Sequence, residues 1–201
     1  MLNIHVRGFK FKISESIYGS SNVETRILRN KLAALYLSLD LYEEASTLYE
    51  REFNFVEKEY GSNNLKILEH KYNLAVSYKG QGKYIEAEKL LLNCLEIFDA
   101  NGRFEHPEKV PTLRELGDLY TERGKFEQAE KYLKKALKID EIAWGKDNFR
   151  LISTLNSLGK LYLENDFYVK AEDYYLRALN ISKNNYGNDH LETVNIDIYL
   201  A

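Results

Sequence analysis

Cysteine, proline and long apolar runs are all scarce in this chain of 201 residues, and each scarcity excludes a class of protein. With 1 cysteine no internal disulfide can form, so the chain is not a small secreted scaffold held by cross-links. Only 2 prolines are present, so long helices can run without interruption. No stretch reaches the roughly 18 apolar residues that span a membrane. The start Met1-Leu2-Asn3-Ile4-His5-Val6-Arg7 has no apolar run of signal-peptide length. These absences make an intracellular, cytoplasmic protein with no membrane partner the expectation. An excess of one charge is missing too. Lys and Arg number 28 against 31 Asp and Glu, a net charge of −3, and phosphate recognition wants a clustered positive field, so no nucleic-acid partner is expected. Short basic runs such as Lys131, Lys134, Lys135 and Lys138 alternate with acids, as on a solvated helix face.

Catalytic and metal-binding constellations are equally sparse. His5, His70, His106 and His190 are scattered, and no His-x-x-x-His, paired Cys or calcium-type acidic loop accompanies them. No metal and no cofactor are expected. The segment Lys79-Gly80-Gln81-Gly82-Lys83 lacks the Gly-Lys-Ser/Thr ending of a phosphate loop and reads as a turn. Carboxylate pairs such as Glu43 with Glu44 and Glu172 with Asp173 lie on the solvent side of helices, with no dry pocket to shift a pKa. The chain is therefore expected not to be an enzyme, with no catalytic residue. Cys94 takes a small-residue position in a helix and reads as a buried structural thiol.

What the sequence does contain is a register. Ala45, Ala87, Ala129 and Ala171 recur every 42 residues, each behind a copy of Leu, small residue, two variable residues, Tyr. The copies are Leu32-Ala33-x-x-Tyr36, Leu74-Ala75-x-x-Tyr78, Leu116-Gly117-x-x-Tyr120 and Leu158-Gly159-x-x-Tyr162. The small residue and the later Ala let two antiparallel helices approach closely, with Leu and Tyr above and below the contact. Gly82 and Gly124 mark the turn between the helices, and Asp40 and Asp166 take that position in the other two copies. The second helix keeps its period in Leu91, Cys94, Leu95, in Leu133, Ala136, Leu137 and in Tyr175, Ala178, Leu179. Copy one departs with Tyr49, Glu52, Phe53, and the charge at Glu52 suggests looser packing or a neighbouring Lys partner.

This spacing resembles the tetratricopeptide repeat, whose usual unit is about 34 residues. The extra eight residues fall after the core of the second helix, so that helix runs on by a turn or more. An aromatic-Gly pair closes it at Tyr18-Gly19, Tyr60-Gly61, Trp144-Gly145 and Tyr186-Gly187, followed by Asn22, Asn64, Asn148 and His190. Copy two shifts to Gly102 but keeps His106 before Pro107. Gly reads as a left-handed helix stop, Asn or His as the next N-cap, and Pro107 as a first helical position, with Pro111 placing the copy-three helix start near Val110 or bending it. The 42-residue unit and these junctions resemble the repeats of kinesin light chains.

The expected fold class is all-α, a right-handed superhelical solenoid of antiparallel helix hairpins, divided as 22–63, 64–105, 106–147 and 148–189. Residues 1–21 read as the second helix of a degenerate preceding repeat, and 190–201 as the start of a fifth repeat or a capping helix. Leu200-Ala201 aligns with Leu158-Gly159, so the chain reads as a fragment of a longer array. The resemblance implies that peptides bind along the first helix of each hairpin. Counting from the repeat Leu, that stripe holds Asn30, Ala34 and Leu37; Tyr72, Val76 and Lys79; Arg114, Asp118 and Thr121; Asn156, Lys160 and Leu163, flanked by Asn73 and Glu115. The groove assigned on this basis is Asn30, Tyr72, Asn73, Val76, Lys79, Arg114, Asp118, Thr121, Asn156 and Lys160. Of the carboxylate clamp carried by the family's chaperone-tail binders only Asn73 fits, whereas kinesin light chain resemblance implies short motifs with aromatic and acidic residues. The function expected is a protein-binding adaptor or scaffold, monomeric or an end-to-end dimer. A self-assembling array and the regulatory domain of a longer enzyme are the alternatives.

Overall fold

The computed structural model describes the backbone of residues 2–188 and 190–198, and Leu200-Ala201 lie outside the described residues. These residues form two compact units divided after Gly102. The first holds α1 (Leu2–Tyr18), α2 (Val23–Leu37), α3 (Tyr42–Tyr60), α4 (Leu68–Gly80) and α5 (Tyr84–Ala100). The second holds α6 (Val110–Glu122), α7 (Phe126–Trp144), α8 (Ile152–Glu164), α9 (Tyr168–Tyr186) and α10 (Leu191–Ile198). The architecture is an all-α repeat solenoid whose hairpins are α2 on α3, α4 on α5, α6 on α7 and α8 on α9. The second helices run 17 to 19 residues against 13 to 15 for the first, as the long register requires.

Each hairpin turns through the same backbone device. The carbonyl of the repeat Tyr accepts from the residue five ahead: Tyr36 from Leu41, Tyr78 from Lys83, Tyr120 from Lys125 and Tyr162 from Phe167, at 2.8–2.9 Å. The amide one residue earlier closes a second bond, to the carbonyl three residues back at 2.9–3.2 Å, which is the paired pattern of a Schellman helix end. That end requires positive φ at residue 40, 82, 124 or 166, and Gly82 (φ 74) and Gly124 (φ 67) adopt it without a Cβ clash. Asp40 (φ 56) and Asp166 (φ 60) bear the strain, and Tyr42 and Tyr168 donate hydroxyl bonds to them at 2.6 and 2.7 Å.

Across each hairpin the small residue faces the large one of the second helix. A Cβ added to Gly117 would lie 2.4 Å from Leu133 Cγ, and one on Gly159 2.6 Å from the Tyr175 ring. Ala45, Ala87 and Ala129 are fully buried and Ala171 nearly so, which is why the spacing tolerates nothing larger.

Between hairpins the expected caps form. Asn22, Asn64 and Asn148 Oδ1 accept from the amides of Glu24, Lys66 and Arg150 at 2.9–3.0 Å. His106 and His190 do the same through Nδ1, at 3.3 Å from Glu108 and 3.2 Å from Glu192. Before α4, α6 and α8 a short 3-10 turn (Leu65–Ile67, Pro107–Lys109, Phe149–Leu151) then leads into the helix, and α6 starts at Val110 with Pro111 in its opening turn. The glycine stops differ from expectation. Gly61, Gly145 and Gly187 have φ of 84 to 89 but ψ of 162 to 172, an extended mirror conformation rather than the left-handed helix. This region of φ/ψ is essentially open to glycine alone, which accounts for the residue type at these three stops.

Copy one also differs from expectation at Glu52. Its carboxylate is 1% exposed and receives Arg26 at 2.6 Å and Arg29 at 2.9 Å, both from α2, so it has arginine partners and tight packing. Arg29 is itself 2% exposed and donates to the Ser20 carbonyl at 2.7 Å. Burial lowers the Arg29 pKa, with Glu52 the first opposing influence. At the equivalent positions the second unit has Val110, Leu113 and Ala136, then Ile152, Leu155 and Ala178. An ion triad thus replaces an apolar triad, while the hairpin of α4 and α5 has Leu68, Lys71 and Cys94, a single cation, at these positions.

Candidate protein-interaction surface

On a helix advancing about 100° per residue, Tyr72, Val76 and Lys79 of α4 share a face distinct from that of Lys71, Leu74 and Tyr78. In the first unit Asn30 on α2 and Tyr72, Asn73, Val76 and Lys79 on α4 are all half-buried. In the second, Arg114 and Asp118 on α6 and Asn156 on α8 are half-buried, and Lys160 is exposed with its Nζ 4.0 Å from Glu164. Thr121 stands apart, being 2% exposed with its hydroxyl donated to the Gly117 carbonyl at 2.9 Å. Nothing of its polar group faces outward.

Asn30 and Asn156 occupy one repeat position, and in both the side-chain Oδ1 is buried with no hydrogen-bond partner among the described residues. A buried acceptor left unmade costs about 1–3 kcal/mol, so two at equivalent places call for an explanation. Tyr72 and Arg114 hold the same position in the other copies. Arg114 also acts inward. Burial pushes the Asp140 carboxyl on α7 up, and the Thr154 hydroxyl, 3.3 Å away, together with Arg114 and Arg150 opposes that rise.

The remaining candidates for chemistry are structural. Cys94 is buried, its thiol pushed up to about 12 by that burial, and Leu68 supplies a carbonyl 3.9 Å from it. His70 is half-buried, with burial lowering its pKa. Among the described residues no group of three or more His, Cys, Asp or Glu converges as metal ligands. Among them, too, no helix is long and apolar enough to cross a membrane. One concavity was not foreseen from the sequence. A cleft of about 830 Å³ opens among α3, α4 and α5, and none of the ten stripe residues lines it. Its signal was a difference between the halves of the repeat, Leu48 and Leu90 standing where the second-unit copies have Tyr132 and Tyr174.

Comparison with known proteins agrees with this architecture. A tetratricopeptide repeat model matches residues 24–99 and 66–142, and a second tetratricopeptide repeat model matches 151–192. No curated protein matches the chain. Among solved structures it is similar to BtubC (BKLC) from P. vanneervenii, with 22% identity and a TM-score of 0.77 over 98% of this chain and 80% of that one. It is also similar to nearly identical TPR-like repeats described as a kinesin light chain of Podosopora anserina. There the identity is 20% and the TM-score 0.71, over 90% of this chain and 85% of the other. A second crystal structure of those repeats gives 20% and 0.68, covering 91% and 87%. At such identities the likeness concerns fold alone, but the matched family models cover most of the sequence, and the chain belongs to the tetratricopeptide repeat family.

Proposed function

We propose that this chain is a non-enzymatic, cytoplasmic adaptor that holds a partner peptide against the first-helix stripes of its hairpins. Tetratricopeptide repeats generally mediate protein–protein interaction, and the observation that carries the finer reading is the pair of orphaned amide oxygens at Asn30 and Asn156. A side-chain amide that turns about its last torsion presents both a donor and an acceptor to a peptide backbone. Tyr72 and Arg114 at the same position offer a hydroxyl and a guanidinium, the latter suited to carboxylates. Thr121, buried, takes no part. Panning a random peptide library on the protein tests this. Selected peptides should bind Asn30→Ala/Tyr72→Ala and Arg114→Ala/Asn156→Ala at least tenfold more weakly, with the helical circular-dichroism signal intact. Equal affinity for both variants and the parent protein would sink the stripe assignment.

Self-assembly is a second reading with its own observation. Val6, Phe9, Ile13 and Ile17 form an exposed apolar row along α1, with Phe9 66% exposed. Phe9→Lys/Ile17→Lys should remove any rise of mass with concentration, and a parent protein that stays monomeric would dispose of the idea.

A further inference from the structure

The cleft of the first unit differs from the same place in the second, and the difference is specific. In the second unit Tyr174 of α9 stacks on Tyr162 with centroids 5.4 Å apart, and Tyr120 and Tyr132 stack likewise at 5.6 Å. Arg177, one turn beyond Tyr174, pairs with Glu141 of α7 at 2.7 Å. Rings and an ion pair fill that inter-helix space. In the first unit Leu90 stands where Tyr174 does, and Asn93 where Arg177 does. Tyr78 still donates its hydroxyl to Glu50 at 2.7 Å, but residue 90 offers it no ring to stack on. Asn93 turns to other work, accepting from Lys71 through Oδ1 and donating to Glu96 at 3.0 Å. Glu57, the counterpart of Glu141, faces a cleft floored by Phe53, Leu74 and Leu90.

Charge follows the same division. Glu50, Glu57, Glu86 and Glu96 line the first-unit cleft, where the second unit has Lys134, Glu141, Lys170 and Asn180. Two cations share the lining. Lys71 is held by Asn93 and the Ser62 carbonyl with its Nζ 5.7 Å from the Phe53 ring, and Lys89 sits on the rim. The acids still outnumber them, around a floor that is apolar. The volume falls within the roughly 300–1,000 Å³ typical of ligand pockets.

We infer that this cleft docks a basic segment of a partner protein, one in which an arginine neighbours a large apolar or aromatic side chain. The apolar side chain enters the space a Tyr174-like ring would occupy, and the arginine meets Glu57 as Arg177 meets Glu141. Glu86 and Glu96 add steering from the rim. This site lies on a different face of α4 from the stripe, so it stands whether or not the stripe binds peptide. The probe is a synthetic helical peptide carrying Trp beside two Arg, titrated by fluorescence anisotropy at low salt, with a Glu-for-Arg version and a Gly-for-Trp version as controls. The parent peptide should bind, and both controls should lose at least tenfold. Leu90→Tyr/Asn93→Arg, which rebuilds the second-unit filling, and Glu57→Gln/Glu86→Gln, which leaves the floor intact, should each weaken binding at least tenfold. Asn30→Ala/Tyr72→Ala should leave it unchanged. No binding by the parent protein, or equal binding by Glu57→Gln/Glu86→Gln, overturns the inference, as does a Glu-for-Arg peptide that binds equally well.

Discussion

Removing Glu52 tests the ion triad most directly. In Glu52→Ala the Arg29 guanidinium, 2% exposed, loses its nearest counter-ion, and Arg26 loses the partner at 2.6 Å. Breaking a buried pair by deleting one member costs about 3–5 kcal/mol, because the remaining charge stays desolvated. Arg29 retains the Ser20 carbonyl and a carboxylate oxygen of Glu15 at 3.8 Å, which places the expected loss near the lower end of that range. The triple variant Arg26→Leu/Arg29→Leu/Glu52→Ala should behave in the opposite way. It installs the kind of apolar triad seen at Val110, Leu113 and Ala136, and exchanging a buried ion cluster for packed apolar groups is often neutral or stabilising by about 1–4 kcal/mol. Urea titrations followed by circular dichroism at matched pH and salt measure both. A loss below about 1 kcal/mol in the single variant, or a triple variant as unstable as the single one, would refute the reasoning.

Three further outcomes follow from the structure. Gly124→Ala should cost about 1 kcal/mol, since φ of 67 places a Cβ against its own carbonyl, whereas Asp166→Gly should change stability by about half that or less; equal urea midpoints for Gly124→Ala and the parent would contradict this. His70 has a pKa lowered from 6.5 chiefly by burial, so its neutral form is the one the fold prefers. The stability it contributes is complete above the unfolded value and lost as pH falls through the window below 6.5. His70→Leu should flatten the decline of the urea midpoint between pH 7.5 and 5.5, and identical slopes would argue otherwise. Ala87→Arg should cost about 4 kcal/mol or more, because a fully buried Ala at a helix contact leaves no room for a charge, and a folded, undiminished thermal transition would be inconsistent with that.

Most of the architecture was readable because the repeat carries its own controls. Four copies of Leu-small-x-x-Tyr with a following Ala define two helix faces at once, and Asn or His beyond each aromatic-Gly pair marks the next cap. Asp40 and Asp166 were legible as turn residues for the same reason, by alignment with Gly82 and Gly124. What escaped the sequence were features that appear only where helices meet. The register drew attention to Glu52 but not to Arg26 and Arg29, which lie 26 and 23 residues away and become neighbours only when α2 folds onto α3. The conformation of Gly61 and its equivalents differed because glycine permits positive φ with either helical or extended ψ, and residue type does not choose between them. Thr121 shares the stripe's spacing but sits in the last turn of α6, where its hydroxyl bonds back to Gly117 and the side chain is covered. The first-unit cleft was hidden in a conservative-looking exchange, Leu90 for tyrosine, whose meaning is the ring stack it removes.

The ion triad bears on how a chain of near-copies finds its own alignment. Helices α2, α4, α6 and α8 carry the same interface pattern, so α2 could in principle lie against the second helix of another hairpin. Were it to pair with α5, Arg26 and Arg29 would face Cys94 in place of Glu52, and with α7 they would face Ala136. Two guanidiniums would then be buried without a carboxylate, while Glu52 would be stranded elsewhere. Both errors carry desolvation penalties of several kcal/mol, more than the apolar burial of a mismatched pairing could offset. The hairpin that carries a complete ion triad in its interior is thereby marked off from its neighbours.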